Sequence, residues 1–307
     1  FLQFRDTSKV TTMKNMFYSA KQFDQDVSNW DVSSVITMEG MFGYQAAFRQ
    51  SLNWQDTSKL TNVKEMFNTN YYYNGDVTNF DVSSVTTMEG MFFSAASFNG
   101  DLTSWNVSSV TNMHKMFLDA EHFNRNLDTW DTSRVVDMSW MFSYTTAFNG
   151  DVSSWNTSGV TDMFSLFHSA RMFNGDLSRW STSQVIRMYN MFNGATKFNG
   201  DLSRWSTSRV TDMQYMFKEA TKFNSDISAW QVSSVTSFRH MFEDAALFNV
   251  DISKWEVSSA VQYTHMFKNA VNFDHIWCSY TWYKLSERYM GSALYLNDLV
   301  GNIFLNA

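Results

Sequence analysis

The chain has 307 residues, of which 44% are hydrophobic and 17% charged, enough apolar material for a large core and too few charges for a disordered chain. Its net charge of -7, without a basic run, argues against sequence-independent nucleic-acid binding, which needs clustered Lys and Arg. One cysteine, Cys278, excludes an internal disulfide framework and a multi-cysteine zinc site, and no run of 18 apolar residues predicts a membrane span in this segment.

The sequence begins at Phe1 already in phase with a repeat, as a mature or trimmed chain would. The dipeptide Met-Phe marks that phase at Met16, Met41, Met66, Met91, Met116, Met141, Met191, Met216, Met241 and Met266, with Leu166-Phe167 filling the one gap. The step is always 25 residues, and Ser8 and its ten successors to Ser258 keep the same step. Eleven units therefore cover residues 1–274. The chain has no proline, as expected if every unit spends its backbone N–H groups on its neighbours.

Within a unit, Val210, Met213, Met216, Phe217 and Ala220 are spaced like one stripe of a helix. The Ser and Thr residues before them could cap its start. A turn follows at Phe-Asn-Gly-Asp, and Trp105 and Val107, two apart, fit a short strand with one buried face. A 25-residue unit of this kind buries its apolar side only against its neighbours. The expected fold is thus an α/β repeat solenoid of about eleven strand-plus-helix coils, with a parallel sheet on the concave side. Residues 275–307 leave the repeat and read as a C-terminal cap or a docking segment.

The frame Leu-x-x-Trp-x-Val-Ser-Ser-Val, as in Leu102 to Val110, resembles that of leucine-rich repeats. More narrowly, "WDVSSVITMEGMF" (Trp30 to Phe42) and "FNGDLSRWSTSRVTDMQYMF" (Phe198 to Phe217) resemble the BspA-like leucine-rich-repeat surface proteins, across all eleven units. The resemblance implies a leucine-rich type of solenoid and a non-enzymatic, extracellular or cell-surface role in adhesion and assembly. It carries no catalytic residues. The frame is broken where Arg5, Phe80 and Tyr280 replace tryptophan, where Trp54 comes one position early, and where Ala260 and Tyr263 occupy core positions.

The methionine rows and the tryptophan row from Trp105 to Trp255 are expected in the core rather than as metal ligands or sugar platforms. Beside the tryptophans runs a polar row with Asp31, Asp56, Asp81 and Asp131 early and Gln231 late, flanked by Arg179, Arg204 and Lys254. It is expected to face the concave surface, acidic in the first half and more basic in the second, and it is the candidate binding surface. A second row (Asp26, Asp76, Asp101, Asp151, Asp176, Asp201, Asp226, Asp251) is expected to form turns rather than bind calcium, which wants six to eight oxygens. His240 and His265 share a repeat position but, as two ligands, are expected on the surface with no metal. Asn106-Val-Ser108 and Asn156-Thr-Ser158 match the glycosylation sequon. No cofactor is expected. The partners expected are other proteins or cell-surface glycans, with assembly through the uncapped N-terminal coil or the C-terminal segment. The alternative is an intracellular or organellar scaffold subunit of a larger complex.

Overall fold

The structure, a computed structural model, describes residues 6–274 apart from 258 and 261. The segment 275–307, expected as a cap, lies outside the described residues. Below, a frame position is counted from 1 to 25 within each unit, so that Met16, Met41 and Met66 all occupy position 16.

The backbone N–H groups at positions 13, 15, 17 and 19 point out of their own unit. In the first unit Met13, Asn15, Phe17 and Ser19 donate to the carbonyls of Thr37, Glu39, Met41 and Gly43 at 2.8–2.9 Å. The same pattern recurs down the stack, for example from Lys115, Phe117 and Asp119 to Ser139, Met141 and Ser143. In the reverse direction Ile36 N–H donates to Thr11 O, and Thr61 N–H to Ile36 O. The intervening N–H groups close tight turns within the unit, as Met116 to Met113, Leu118 to Lys115 and Ala120 to Phe117. No N–H is left to build an i to i−4 ladder.

The backbone angles explain why. Positions 15 and 19 have positive φ, between 51° and 70°, in all eleven units. Nineteen of these 22 residues are not glycine, and each left-handed residue ends any right-handed helical run after three residues.

The α/β expectation is therefore overturned. Among the described residues there is no helix, and regular pairing is limited to one isolated parallel bridge per interface, from Thr12–Thr37 through Asn112–Asp137 to Ser237–Gln262. The helical stripe is a succession of three-residue turns whose first and last side chains both face inward. The expected strand around Trp105 is also a turn, closed by Trp105 N–H to Leu102 O at 3.1 Å. No concave parallel sheet exists among the described residues. The chain is a stack of turn-built units held in a 25-residue register.

The core assignment holds along the stack, except in the first unit, where Met16 is 40% exposed. Met41, Met66, Met116 and Met141 are completely buried, as are Phe42, Phe67, Phe117 and Phe142. Position 17 and position 23 carry paired rings. Phe117 stacks on Phe123 in its own unit at 4.0 Å and on Phe142 of the next at 5.6 Å. Phe123 stacks on Phe148 at 6.0 Å. Two parallel ring columns thus run along the stack, and the buried tryptophans form a third, with Trp130, Trp155 and Trp180 at 6.2 and 5.9 Å. In the column from Trp105 to Trp255 each indole N–H finds a carbonyl in the preceding unit, as Trp130 Nε1 to Leu102 O at 3.0 Å. Trp54, displaced by one position, still donates to Val27 O at 2.9 Å, so its shift preserves the bond.

Candidate functional site

The candidate binding row is built by turns. Asp31 Oδ1 accepts from Ser33 N–H at 3.0 Å and from Ser33 Oγ at 2.6 Å, and Asp56 and Ser58 repeat this at 3.0 and 2.7 Å. Asp81 and Asp131 each accept from the backbone N–H two residues on at 3.0 Å. Asn106 and Asn156 do the same at 3.1 Å, so an amide can replace the carboxylate without losing the turn. The serine hydrogen bonds, side-chain first and backbone second, hold the Asp31, Asp56 and Asp131 carboxyls below their ordinary range. Asp6 and Asp56 repel Asp31 and oppose that shift, which places these carboxylates within electrostatic reach of one another.

Asp31, Asp56, Asp81, Asp131, Arg179, Arg204, Gln231 and Lys254 are all exposed, as are Asn106 and Asn156. They do not line a concave sheet, since none forms among the described residues. They form two columns in the stack, flanking the buried tryptophans. Arg179 and Arg204 lie near Asp176 and Asp201 and lower those carboxyls slightly, after the larger effect of the hydrogen bonds from Ser178 and Ser203. The second aspartate row caps turns: Asp26, Asp76, Asp101, Asp151, Asp176, Asp201, Asp226 and Asp251 all accept the N–H two residues on at 2.8–3.0 Å.

Two surface features escape the row-by-row reading of the sequence. Tyr18, Tyr44, Tyr71 and Tyr72 are exposed in the first three units, with Tyr18 and Tyr44 rings 5.2 Å apart and Arg49 over Tyr72 at 5.0 Å. They occupy four different frame positions, so no single row announces them. The second is a titratable cluster in units 9 to 11. His240 Nδ1 lies 2.6 Å from Glu243 Oε2, which also receives Lys218 Nζ at 3.1 Å, while Lys268 Nζ meets Glu243 Oε1 at 3.1 Å. Burial pushes the Glu243 carboxyl up, but the hydrogen bonds from Lys218, Lys268 and His240 outweigh it and hold its pKa at about 2. The expectation of surface histidines fails here: His240 is 9% exposed and His265 half-buried, their ring centroids 4.9 Å apart.

Residues 2–104, 63–180, 93–203 and 171–282 each match one sequence family, described as "Mycoplasma protein of unknown function, DUF285". The chain belongs to this family. The four overlapping matches span the whole run of units, so DUF285 describes the repeat itself, and the chain is a DUF285 repeat protein. A search of curated proteins finds no match.

His168 gives this repeat a test at acid pH. Burial lowers its pKa to about 4. Its ring packs edge-on against Tyr144 at 4.7 Å, and Nδ1 is buried without a hydrogen-bond partner. An unfolded histidine titrates near 6.5, so between pH 6.5 and 4 the unfolded chain binds a proton that the folded chain refuses. Stability should therefore fall as pH drops through this window, by a slope of up to one proton per chain. Asparagine already fills this frame position at Asn68 and Asn193. His168→Asn should reduce the slope of the denaturant midpoint against pH between 6.5 and 4, the remainder coming from groups such as His114 and His240 that burial also lowers, and an unchanged slope would count against the buried neutral ring.

Proposed function

We propose that the chain is a non-enzymatic binding and assembly module of a surface or secreted protein, related to the BspA-like surface proteins that its repeat wording resembles. The observation that carries this reading is the arrangement of what varies. The core residues and the hydrogen-bonded register repeat from unit to unit, while the exposed columns change their chemistry along the stack, acidic at Asp31, Asp56 and Asp81 and basic at Arg179, Arg204 and Lys254. Side chains of changing charge set out on a 25-residue register suit an extended partner such as another protein or a cell-surface glycan. The exposed tyrosines at Tyr18, Tyr44, Tyr71 and Tyr72 supply amphipathic contact area in the first three units, at frame positions apart from the aspartate column.

The charge can be removed without disturbing the turns, because Asn106 and Asn156 already make the same turn bond. The triple variant Asp31→Asn, Asp56→Asn, Asp81→Asn should retain the melting behaviour of the parent. On an array of immobilised cationic proteins and glycans it should lose most of the parent's salt-sensitive binding. Equal binding by parent and triple variant would remove the acidic column from the reading. No saturable binding by the parent to any surface on the array would overturn it.

A further inference from the structure

The stack places three metal-capable side chains together near its end. His240 and His265 occupy position 15 of consecutive units, and Glu243 sits three residues beyond His240 in the same turn. One ligand atom from each lies within 4.8 Å of the other two. In the other nine units position 15 holds Asn15, Gly40, Glu65, Gly90, Lys115, Trp140, Ser165, Asn190 or Tyr215, so paired imidazoles occur only here among the units.

The backbone beneath them is held firmly. His240 N–H donates to Thr264 O at 2.9 Å, and both histidines take φ of 56°. This is a left-handed conformation in which histidine, with asparagine and aspartate, is enriched. His240 and Glu243 are 9% and 5% exposed, so their side chains are enclosed by the stack rather than waving in solvent. We propose that His240, Glu243 and His265 form a binding site for a divalent transition-metal ion of the zinc class.

The donor set selects the ion. Two imidazole nitrogens and one carboxylate oxygen suit zinc, cobalt or nickel, whereas calcium and magnesium prefer shells made of oxygen. Zinc bonds of roughly 2.0–2.1 Å in a tetrahedral shell set neighbouring ligand atoms about 3.3 Å apart. The His240–Glu243 contact must open from 2.6 Å and the separations, all within 4.8 Å, must settle near that tetrahedral spacing, which asks only for side-chain rotation on a fixed backbone. Three protein ligands leave a fourth position for water or a partner's side chain.

The two lysines set the price of entry. Lys218 and Lys268 pair with the same carboxylate, so the ion must share Glu243 with them or displace them. Arg239 adds a further unfavourable charge near His240. Their positive charge lowers the affinity of the native site, and removing one should raise it. A site of purely structural ion pairs would behave in the opposite way, losing order and gaining no metal when a lysine is removed.

The test uses the full chain, stripped with chelator and titrated with zinc chloride by calorimetry, with cobalt absorption as a second readout of tetrahedral coordination. Asn15 and Asn190 fill position 15 elsewhere, so His240→Asn and His265→Asn keep a residue the left-handed turn accepts. The parent should bind one zinc through this site, raise its Tm on doing so and give tetrahedral cobalt bands. His240→Asn, His265→Asn and Glu243→Gln should each weaken the binding by on the order of tenfold or more, as losing one of three ligands requires. Lys218→Met should tighten it by about tenfold. Circular dichroism of the metal-free variants checks that they fold. No zinc uptake by the parent would overturn the site, and so would uptake that survives in the double variant His240→Asn, His265→Asn.

Discussion

Phe142→Ala should destabilise the stack by about 3–5 kcal/mol, a large fraction of the stability of an ordinary domain. The ring is fully buried and touches four others: Phe148 at 4.0 Å, Phe117 at 5.6 Å, Phe167 at 5.7 Å and Trp155 at 6.1 Å. Its removal opens a cavity the size of a phenyl group in one ring column, and takes a contact from each of the other two at Phe148 and Trp155. The backbone around it cannot collapse inward, because Phe142 N–H is bonded to Leu166 O and Tyr144 N–H to His168 O.

The position of the lesion adds a second effect. Each unit contacts only its neighbours, so a defect in the sixth unit weakens the coupling between the two halves. Denaturant unfolding followed by tryptophan fluorescence and by circular dichroism should then cease to coincide, whereas the parent's transitions should superimpose. Met172→Ala, 52% exposed, serves as the control and should change stability by less than about 0.5 kcal/mol. A Phe142→Ala loss as small as that control would show that the paired rings add little.

The sequence discloses the register and the core because both are properties of spacing. A 25-residue step with Met-Phe in phase can hardly arise without stacking, and the inward side chains recur wherever the step recurs. The second aspartate row was also readable as turn residues, and the structure shows the first row making the same bond, each carboxylate accepting the N–H two residues on. What spacing cannot disclose is the destination of the backbone N–H groups. Val210, Met213, Met216, Phe217 and Ala220 are all buried although no helix carries them, so their spacing alone does not tell a helix from a succession of turns bonded to the next unit.

Nor does composition mark the left-handed positions. Position 15 holds asparagine, glycine, glutamate, lysine, tryptophan, serine, tyrosine and histidine in different units, and glycine at only two of them. The conformation is imposed by bonds to the next unit, not by residue preference. The cluster at His240 was half legible for the same reason. The shared position of the two histidines follows from the period, but Glu243 joins them only because position 15 and position 18 flank one tight turn.

Lys115 separates the turn-built unit from a helical one most sharply. Its φ is 58° and its N–H donates to Ser139 O at 3.0 Å. Lys115→Gly removes a left-handed penalty of about 1–2 kcal/mol for an L residue, against about 0.5–1 kcal/mol for the extra freedom glycine has when unfolded. The net result should be a gain of roughly 0.5–1 kcal/mol. In a helix the same substitution would lose about 1 kcal/mol or slightly less, so the sign of the change decides between the two.

Gly40 and Gly90 already stand at this position, and Gly90→Ala should reverse the effect, because φ there is 57° and the added Cβ would press on Glu65 Cγ at 3.2 Å. Lys115→Pro should be far worse, by about 3 kcal/mol or more, because proline fixes φ near −65° and deletes the donor that reaches Ser139. Denaturant midpoints for the three variants give the answer directly. A stabilised glycine variant beside a crippled proline variant is the signature of a left-handed residue bonded across the stack. A destabilised glycine variant would restore the helix that the spacing alone suggests.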